Sequence, residues 1–542
     1  DLSFGLNYAW MESKNNGLTL QGLKVGSREL PNYTALVDEN GFPISVTGRY
    51  AKDYVDQAVV NGLLDWNYVP LNEAKLRDRR SNTKDLLINL GVGYTILDGL
   101  KLSIKYQNQR LRTDQTNVYD ADSYYVRNLV NQYTQPDLKR IIPEGAIKEG
   151  FNNEISSQSG RIQVDFNRQY GEKNAVNAIA GAELRETKSF SNPGYRLYGY
   201  NDAVLTAQSN LDYATFYPLR PLGSATVPSP PTGMVSLTDR FLSYFFNGAY
   251  TYDAKLSLTA SLRWDASNLF GVKTNQKGVP LWSVGSAINL DRFDWMKADW
   301  INSLKFRTTY GVSGNVNNTV SVYPITSFFS DVNFVTQKSY AQLKSVGNPG
   351  LRWEKVRMVN IGLDFGLFNN LLSGSVEYYQ KNASDLIGVN FMDPTTGIFE
   401  KTGFYQITNL MNYAKLRTEG VDLTVNANLG KNRLKWNGSL SFSYTANKVL
   451  DYMANSNVTM STMVSTPIPI VGKSLDLNYA WQSGGLDPAT GELLAPDGTK
   501  DYVAYMNNAK IDDLADMGMK FPPYAGVFRN TFSYGNFSVS AS

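Results

Sequence analysis

The sequence predicts an all-β chain, a transmembrane antiparallel β-barrel, and three observations carry that expectation. Apolar and polar residues alternate over segments of 10–13 residues. Tight turn signals and long connections follow these segments by turns. Large aromatics recur near segment ends, on the apolar face. A membrane-spanning strand needs about 9–11 residues when tilted. Soluble strands run nearer five or six.

The stretch YTILDGLKLSIKYQ, residues 94–107, shows the pattern on both arms of one turn. Leu86, Ile88, Leu90, Val92 and Tyr94 alternate with Asn89, Gly91, Gly93 and Thr95 on the first arm. Leu100, Leu102, Ile104 and Tyr106 alternate with Lys101, Ser103, Lys105 and Gln107 on the second. Successive side chains point to opposite faces, so one face is continuously apolar and the other wet. The segment 1–11 repeats this with Leu2, Phe4, Leu6, Tyr8 and Trp10.

Further arms follow in order. Segments 160–170 and 174–187 meet at Gly-Glu-Lys-Asn, and 240–252 and 255–265 at Asp253-Ala254. Segments 281–290 and 303–314 flank a longer link, and 354–368 and 371–381 meet at Asn369-Asn370. Segments 418–429 and 433–446 meet at Gly-Lys-Asn, and 524–534 and 537–542 at Gly535-Asn536. Turn residues between alternating arms are the hairpin signature. Fifteen strands result. The other connections are long: 12–82, 111–159, 188–239, 315–353, 382–417 and 447–523, with a shorter one at 266–280. Short turns on one side and long loops on the other match an outer-membrane barrel with its loops outside the cell.

Tyr8, Trp10, Tyr94, Tyr106, Tyr250, Tyr252, Trp264, Tyr310, Tyr378, Trp436, Tyr444 and Tyr534 fall at girdle positions, where an amphipathic ring meets the headgroups. The soluble alternative is a β-sandwich array, which would bury the apolar face against a second sheet. Strand length, girdles and loop asymmetry favour lipid. In lipid a sheet must satisfy its backbone by closing on itself.

Composition excludes several functions. The net charge is +3 with no basic run, which leaves no stripe for nucleic acid. There is no Cys and no His, which removes disulfides, thiolates, His triads and His metal sites. No run of about 18 apolar residues is present, so no transmembrane helix is expected. The chain begins and ends inside strand patterns and is expected to be part of a longer protein.

The wet face carries Lys101, Lys105, Glu183, Arg185, Arg263, Asp265, Lys305, Arg307, Asp364, Glu377, Asp422 and Lys435. These mixed charges serve either a polar solute track or cross-strand pairs in a hydrated wall, and pairing is the plainer reading. The carboxylates Asp487 and Glu492, and Asp512 and Asp513, are close in sequence but sit in loop-like stretches, so no enzyme site is expected. No cofactor is expected. Oxygen-rich loops could hold a structural Ca²⁺, although no spacing matches an EF-hand. Two tyrosine-rich loop stretches, 120–125 and 192–202, offer rings that could stack on a sugar or grip a peptide. Tyr124, Tyr125, Tyr195, Tyr198 and Tyr200 are the candidate substrate-binding residues, with loop packing as the plainer role.

Several stretches resemble the SusC/RagA family of TonB-dependent outer-membrane transporters. The most specific is NPGLRWEKVRMVNIGLDFGLFNNLLSGSVEYYQKNASDLI at 348–387. Others are residues 250–271, 301–315, 416–429, 484–492, 521–538 and GLLDWNYVPLNE at 62–73. They follow the family's order across nearly the whole chain. The resemblance implies a 22-stranded barrel in the bacterial outer membrane, surrounded by lipid and lipopolysaccharide and filled by an N-terminal plug. Residues 1–542 would then be part of one barrel domain, with the plug and the last strands outside this sequence. It also implies a SusD-like lipoprotein lid, TonB contacted through the N-terminal segment, and active import of an oligosaccharide or peptide. A lidless siderophore or vitamin importer, and a passive porin or adhesin barrel, are the alternatives.

Overall fold

A computed structural model of the chain describes residues 1–14, 30, 33–46, 48–73, 75–208, 210–231, 233–268, 278–315, 321–332, 335–390, 392–398, 401–402, 405–407, 409–430, 433–452 and 459–542. Residues 431–432 of the expected Gly-Lys-Asn turn, and parts of the expected connections 12–82, 188–239, 266–280, 315–353, 382–417 and 447–523, lie outside the described residues.

Fifteen long strands carry the fold, labelled in chain order: β1 Leu2–Lys14, β2 Arg77–Leu97, β3 Leu100–Tyr119, β4 Ala146–Tyr170, β5 Asn174–Ser191, β6 Val235–Tyr252, β7 Leu256–Ser267, β8 Gly278–Asn289, β9 Ile301–Asn315, β10 Glu354–Leu367, β11 Leu372–Val389, β12 Leu410–Leu429, β13 Leu434–Asp451, β14 Tyr524–Tyr534 and β15 Phe537–Ala541. They pair with their sequence neighbours as one antiparallel meander. β1 pairs with β2 at one end and β15 with β14 at the other. The register aligns apolar rows, with Phe4 opposite Leu90, Leu6 opposite Ile88 and Tyr8 opposite Leu86.

That apolar row is not covered. Leu2, Phe4 and Leu6 are 84%, 67% and 56% exposed, and Leu90, Val92 and Tyr94 also stand open. Water does not sustain an apolar face of this extent. Ten of the twelve girdle aromatics are exposed on this face. The other two are half-buried: Trp436 donates from Nε1 to Asn530 at 3.2 Å, and Tyr444 stacks on Tyr524 at 4.9 Å.

The turns hold their expected residues for conformational reasons. Asp253 and Ala254 have φ of 50° and 51°, and Asn369 and Asn370 have 57° and 60°. Two consecutive left-handed residues give a hairpin turn whose twist matches its strands. Gly99 has φ of +85°, and a Cβ there would lie 2.6 Å from the Asn167 carbonyl oxygen, so glycine is required twice over.

The strands extend well past the sequence-derived boundaries. β2 begins at Arg77 rather than 83, β3 runs on to Tyr119, and β4 starts at Ala146 rather than 160. Backbone ladder bonds do not need a lipid-facing side chain. The extensions carry polar residues on both faces, such as Arg77, Asp78, Arg79 and Arg80, and so show no alternation. The connection expected at 111–159 accordingly shrinks to 120–145.

The chain divides into two compact units. One comprises Asp1–Val92, Lys105–Gly160 and Arg185–Asp239. Its core is a loop module centred on the helix Tyr124–Gln132. Ser123 caps that helix by accepting from the Val126 N–H. Val126, Leu129, Val130 and Tyr133 form one stripe, at i, i+3, i+4 and i+7, and bury against Ile142, Ile147, Tyr198 and Val227. Asn131, fully buried, fixes a second loop by accepting from the Leu64 N–H and donating to its carbonyl, both at 2.8 Å.

The other unit comprises Gly93–Ile104, Arg161–Leu184 and Arg240–Ser542. Its polar face is held by cross-strand charge pairs. Arg307 donates twice to Asp364, at 2.8 Å each, and to Glu377 at 2.7 Å. Arg263 pairs instead along its own strand, with Asp265 at 2.7 Å. These expected wet-face charges therefore serve as wall pairs. Asp487 and Glu492 share one cation, Lys500, at 2.6 and 3.1 Å.

Candidate functional site

The first unit carries a cleft at one end of the polar face of β2 and β3. Odd-numbered residues of both strands share this face. Asn89 and Gln107 bond at 3.0 Å, Asp85 and Gln109 at 2.9 Å, and Thr83 and Thr113 at 3.2 Å. Continuing the ladder brings Arg77 opposite Tyr119, with the guanidinium carbon 5.0 Å from the ring centre. The cleft, about 530 Å³, opens there between Arg77, Tyr119, Tyr124, Tyr125, Glu73 and Asn128. Amides and hydroxyls lead away from it along the ladder. Such a lining can hydrogen-bond a sugar or a peptide backbone without trapping it.

The helix Tyr124–Gln132 positions the cleft's rings. Tyr124 lies 4.8 Å from Tyr68, and Tyr125 lies 4.5 Å from Tyr119. Glu73 accepts from the Tyr124 N–H at 2.9 Å, a carboxylate at a helix start. Burial nevertheless raises the Glu73 carboxyl above its ordinary range, and the same desolvation raises the Tyr125 phenol. A neighbouring cleft is lined by Asn117, Glu149, Tyr195 and Arg196. There Arg196 and Glu149 pair at 2.7 Å across strands.

The five candidate tyrosines separate into two groups. Tyr124 and Tyr125 line the first cleft, and Tyr195 lines the second and is exposed. Tyr198 is fully buried and donates to the Pro228 carbonyl at 2.7 Å, so its ring packs the module's core. Tyr200 is buried too. It accepts from Lys148 at 3.0 Å and donates to Asp202 at 2.7 Å. Sequence reading missed Arg77, Tyr119, Glu149 and Arg196. The signal available was the continuing odd-numbered polarity of β2 beyond its apolar band. Among the described residues no cluster of three acidic side chains gathers to hold a metal ion.

An exposed apolar band on long meandering strands, with a polar opposite face, describes a membrane barrel wall. The family model for TonB dependent receptor-like, beta-barrel proteins matches residues 7–538. The chain belongs to this family. Its apolar face accordingly stands in the outer membrane, and the family is one of transporters rather than enzymes. The TonB-dependent receptor P39 of Formosa agariphila is 29% identical over 336 residues, 60% of this chain and 29% of that protein. The TonB-dependent receptor SusC of Bacteroides thetaiotaomicron is 23% identical over 482 residues, 83% of this chain and 42% of that protein. The chain thus spans less than half the length of these curated relatives. Among solved structures, that of the RagAB peptide transporter matches at a TM-score of 0.72 and 19% identity, covering 99% of this chain and 55% of that one. At that identity the match speaks to fold. The resemblance to the SusC/RagA family read from residues 348–387 and the other motifs is borne out.

Proposed function

We propose that the protein containing this chain imports a large nutrient, an oligosaccharide or a peptide, across the outer membrane with energy delivered through TonB. The match of the receptor-barrel family over residues 7–538 carries this reading. Both compact units would form part of one barrel domain, with an N-terminal plug contributed by sequence outside residues 1–542. A SusD-like surface lipoprotein would close over the long loops as a lid. A wide barrel suits large solutes, because the lumen grows with strand number. Tyr124, Tyr125 and Tyr195 would meet the solute on its way to the polar ladder of β2 and β3, while Tyr198 and Tyr200 hold the walls behind them. The likeness to the RagAB peptide transporter, at 19% identity, favours neither solute class for this chain.

The test is native mass spectrometry of the full-length protein, gently extracted from its own outer membrane, together with uptake in cells lacking TonB. A stoichiometric lipoprotein partner and loss of uptake without TonB are expected. A plugged barrel that travels alone would move the reading to a lidless importer. Uptake that persists without TonB would overturn active import.

A further inference from the structure

The segment NPGLRWEK, residues 348–355, has no part in the cleft, yet it is tied down more closely than a loop end requires. It closes the long connection between β9 and β10. Leu351 is fully buried there and packs with Trp353, with Val322 of the same connection and with Val279 of β8. Ile387 of β11 and Leu410 of β12 pack against this cluster. Those two strands carry the next long connection, between Val389 and Leu410.

Polar bonds reach the same two strands. The Arg352 N–H donates to Asn412 Oδ1 at 2.9 Å, and the Arg352 carbonyl accepts from Asn412 Nδ2 at 2.8 Å. One amide side chain of β12 thus serves the backbone of Arg352 in both directions, as a neighbouring strand would. The same Nδ2 also donates to the Asp385 carbonyl of β11 at 2.6 Å. Asn348 donates to the Leu410 carbonyl at 2.8 Å, and Glu354 accepts from the Ile387 N–H at 3.0 Å.

Asp385 completes the arrangement. Its φ is 57°, a left-handed value that few residues other than glycine adopt, aspartate among them. It sits where β11 bulges: three steps along β11 from Ala383 to Leu386 match two along β12 from Leu416 to Ala414. A bulge re-aims a side chain. Here the Asp385 carboxylate accepts from the Arg352 guanidinium at 2.5 Å, with the Lys355 ammonium at 3.8 Å. Both members of the Arg352–Asp385 pair reach water, so the bond can part and re-form.

We propose that residues 348–354 are a latch at the barrel mouth, with Arg352 as the bolt and Asp385 and Asn412 as the catch. It locks the base of the connection before β10 onto the base of the connection between β11 and β12, so that the two bases move as one body. The rim that a solute meets is then held in one shape by side chains from three strand ends rather than by each loop alone.

The experiment is amide hydrogen exchange of the full-length protein in nanodiscs, with any partner it retains. Three variants each alter one arm: Arg352→Gln, Asp385→Asn and Asn412→Ala. Asparagine tolerates the left-handed backbone, so Asp385→Asn removes the charge and leaves the bulge. Each variant should speed exchange by about three- to tenfold in a segment to which it does not belong. Arg352→Gln should do so at 385–390, and Asp385→Asn and Asn412→Ala at 348–353. Arg352→Gln combined with Asp385→Asn should exchange no faster than Arg352→Gln alone, because both changes break one bond. Heat-modifiable gel mobility checks assembly, and Asp385→Asn carries the test should Arg352→Gln not assemble. Faster exchange confined to the altered segment, or a double variant whose effect is the product of the two singles, would overturn the latch. The readout is exchange and not uptake, so it is independent of whether import depends on TonB.

Discussion

Replacing Leu90 by Arg should damage this protein far more than replacing its neighbour Asn89 by Arg. Leu90 lies mid-way along the apolar band of β2, opposite Phe4 on β1, and its side chain is exposed. In the outer membrane that exposure is to lipid. An arginine near the middle of a barrel's lipid face costs about 2–4 kcal/mol. Asn89 points to the polar face and accepts one bond from Gln107 at 3.0 Å. Losing that bond costs about 1 kcal/mol, and a hydrated guanidinium on the polar face adds little. The expected gap is therefore about 1–3 kcal/mol. With a urea slope of about 2 kcal/mol per molar, Leu90→Arg should unfold at a denaturant concentration lower by roughly 0.5–1.5 M than Asn89→Arg. The assay is urea unfolding of the full-length barrel in lipid vesicles, with assembly in cells read by heat-modifiable mobility. Equal tolerance at the two positions would show that the face assignment of β2 is wrong, and with it the membrane register of the meander.

Three further outcomes are expected. Arg307→Gln removes two bonds to Asp364 and one to Glu377 and leaves two carboxylates facing each other, so the urea midpoint should fall by the equivalent of about 2–3 kcal/mol, and Arg307→Lys should recover only part. Tyr198→Phe removes the bond to the half-buried Pro228 carbonyl and should loosen the loop module by about 1 kcal/mol, seen as faster proteolysis within 195–231 while the long strands stay protected. Glu73, whose carboxyl is raised by burial, stabilises the module fully only when protonated, below the ordinary carboxyl range, and this stability is lost as pH rises through the raised value. Glu73→Gln should thus increase amide-exchange protection of the helix Tyr124–Gln132 at pH 7, and the difference should vanish below about pH 4.

The sequence alone determined the fifteen strands, the turns between them and the face each strand turns outward. The reason is local. Alternation has a period of two, and a half-lipid, half-water strand writes it along the run from Ile88 to Tyr94. Turns such as Asp98-Gly99 are equally local, because a left-handed φ narrows the choice of residue. The wall pairing of Arg307 with Asp364 and Glu377 was half legible, since alternation assigns the face but only the register assigns the partner.

The tertiary structure decided the loop module and the cleft. Arg77 and Tyr119 are 42 residues apart in sequence and come together only because β2 and β3 continue beyond the apolar band with the same register. Tyr124 and Tyr198 look alike in a tyrosine-rich loop. The helix stripe of Val126, Leu129, Val130 and Tyr133 places Tyr124 at a cleft and buries Tyr198 behind it. No periodicity reports that outcome, because side chains from three separated loops share the burial, and long-range packing leaves no repeat in any one of them.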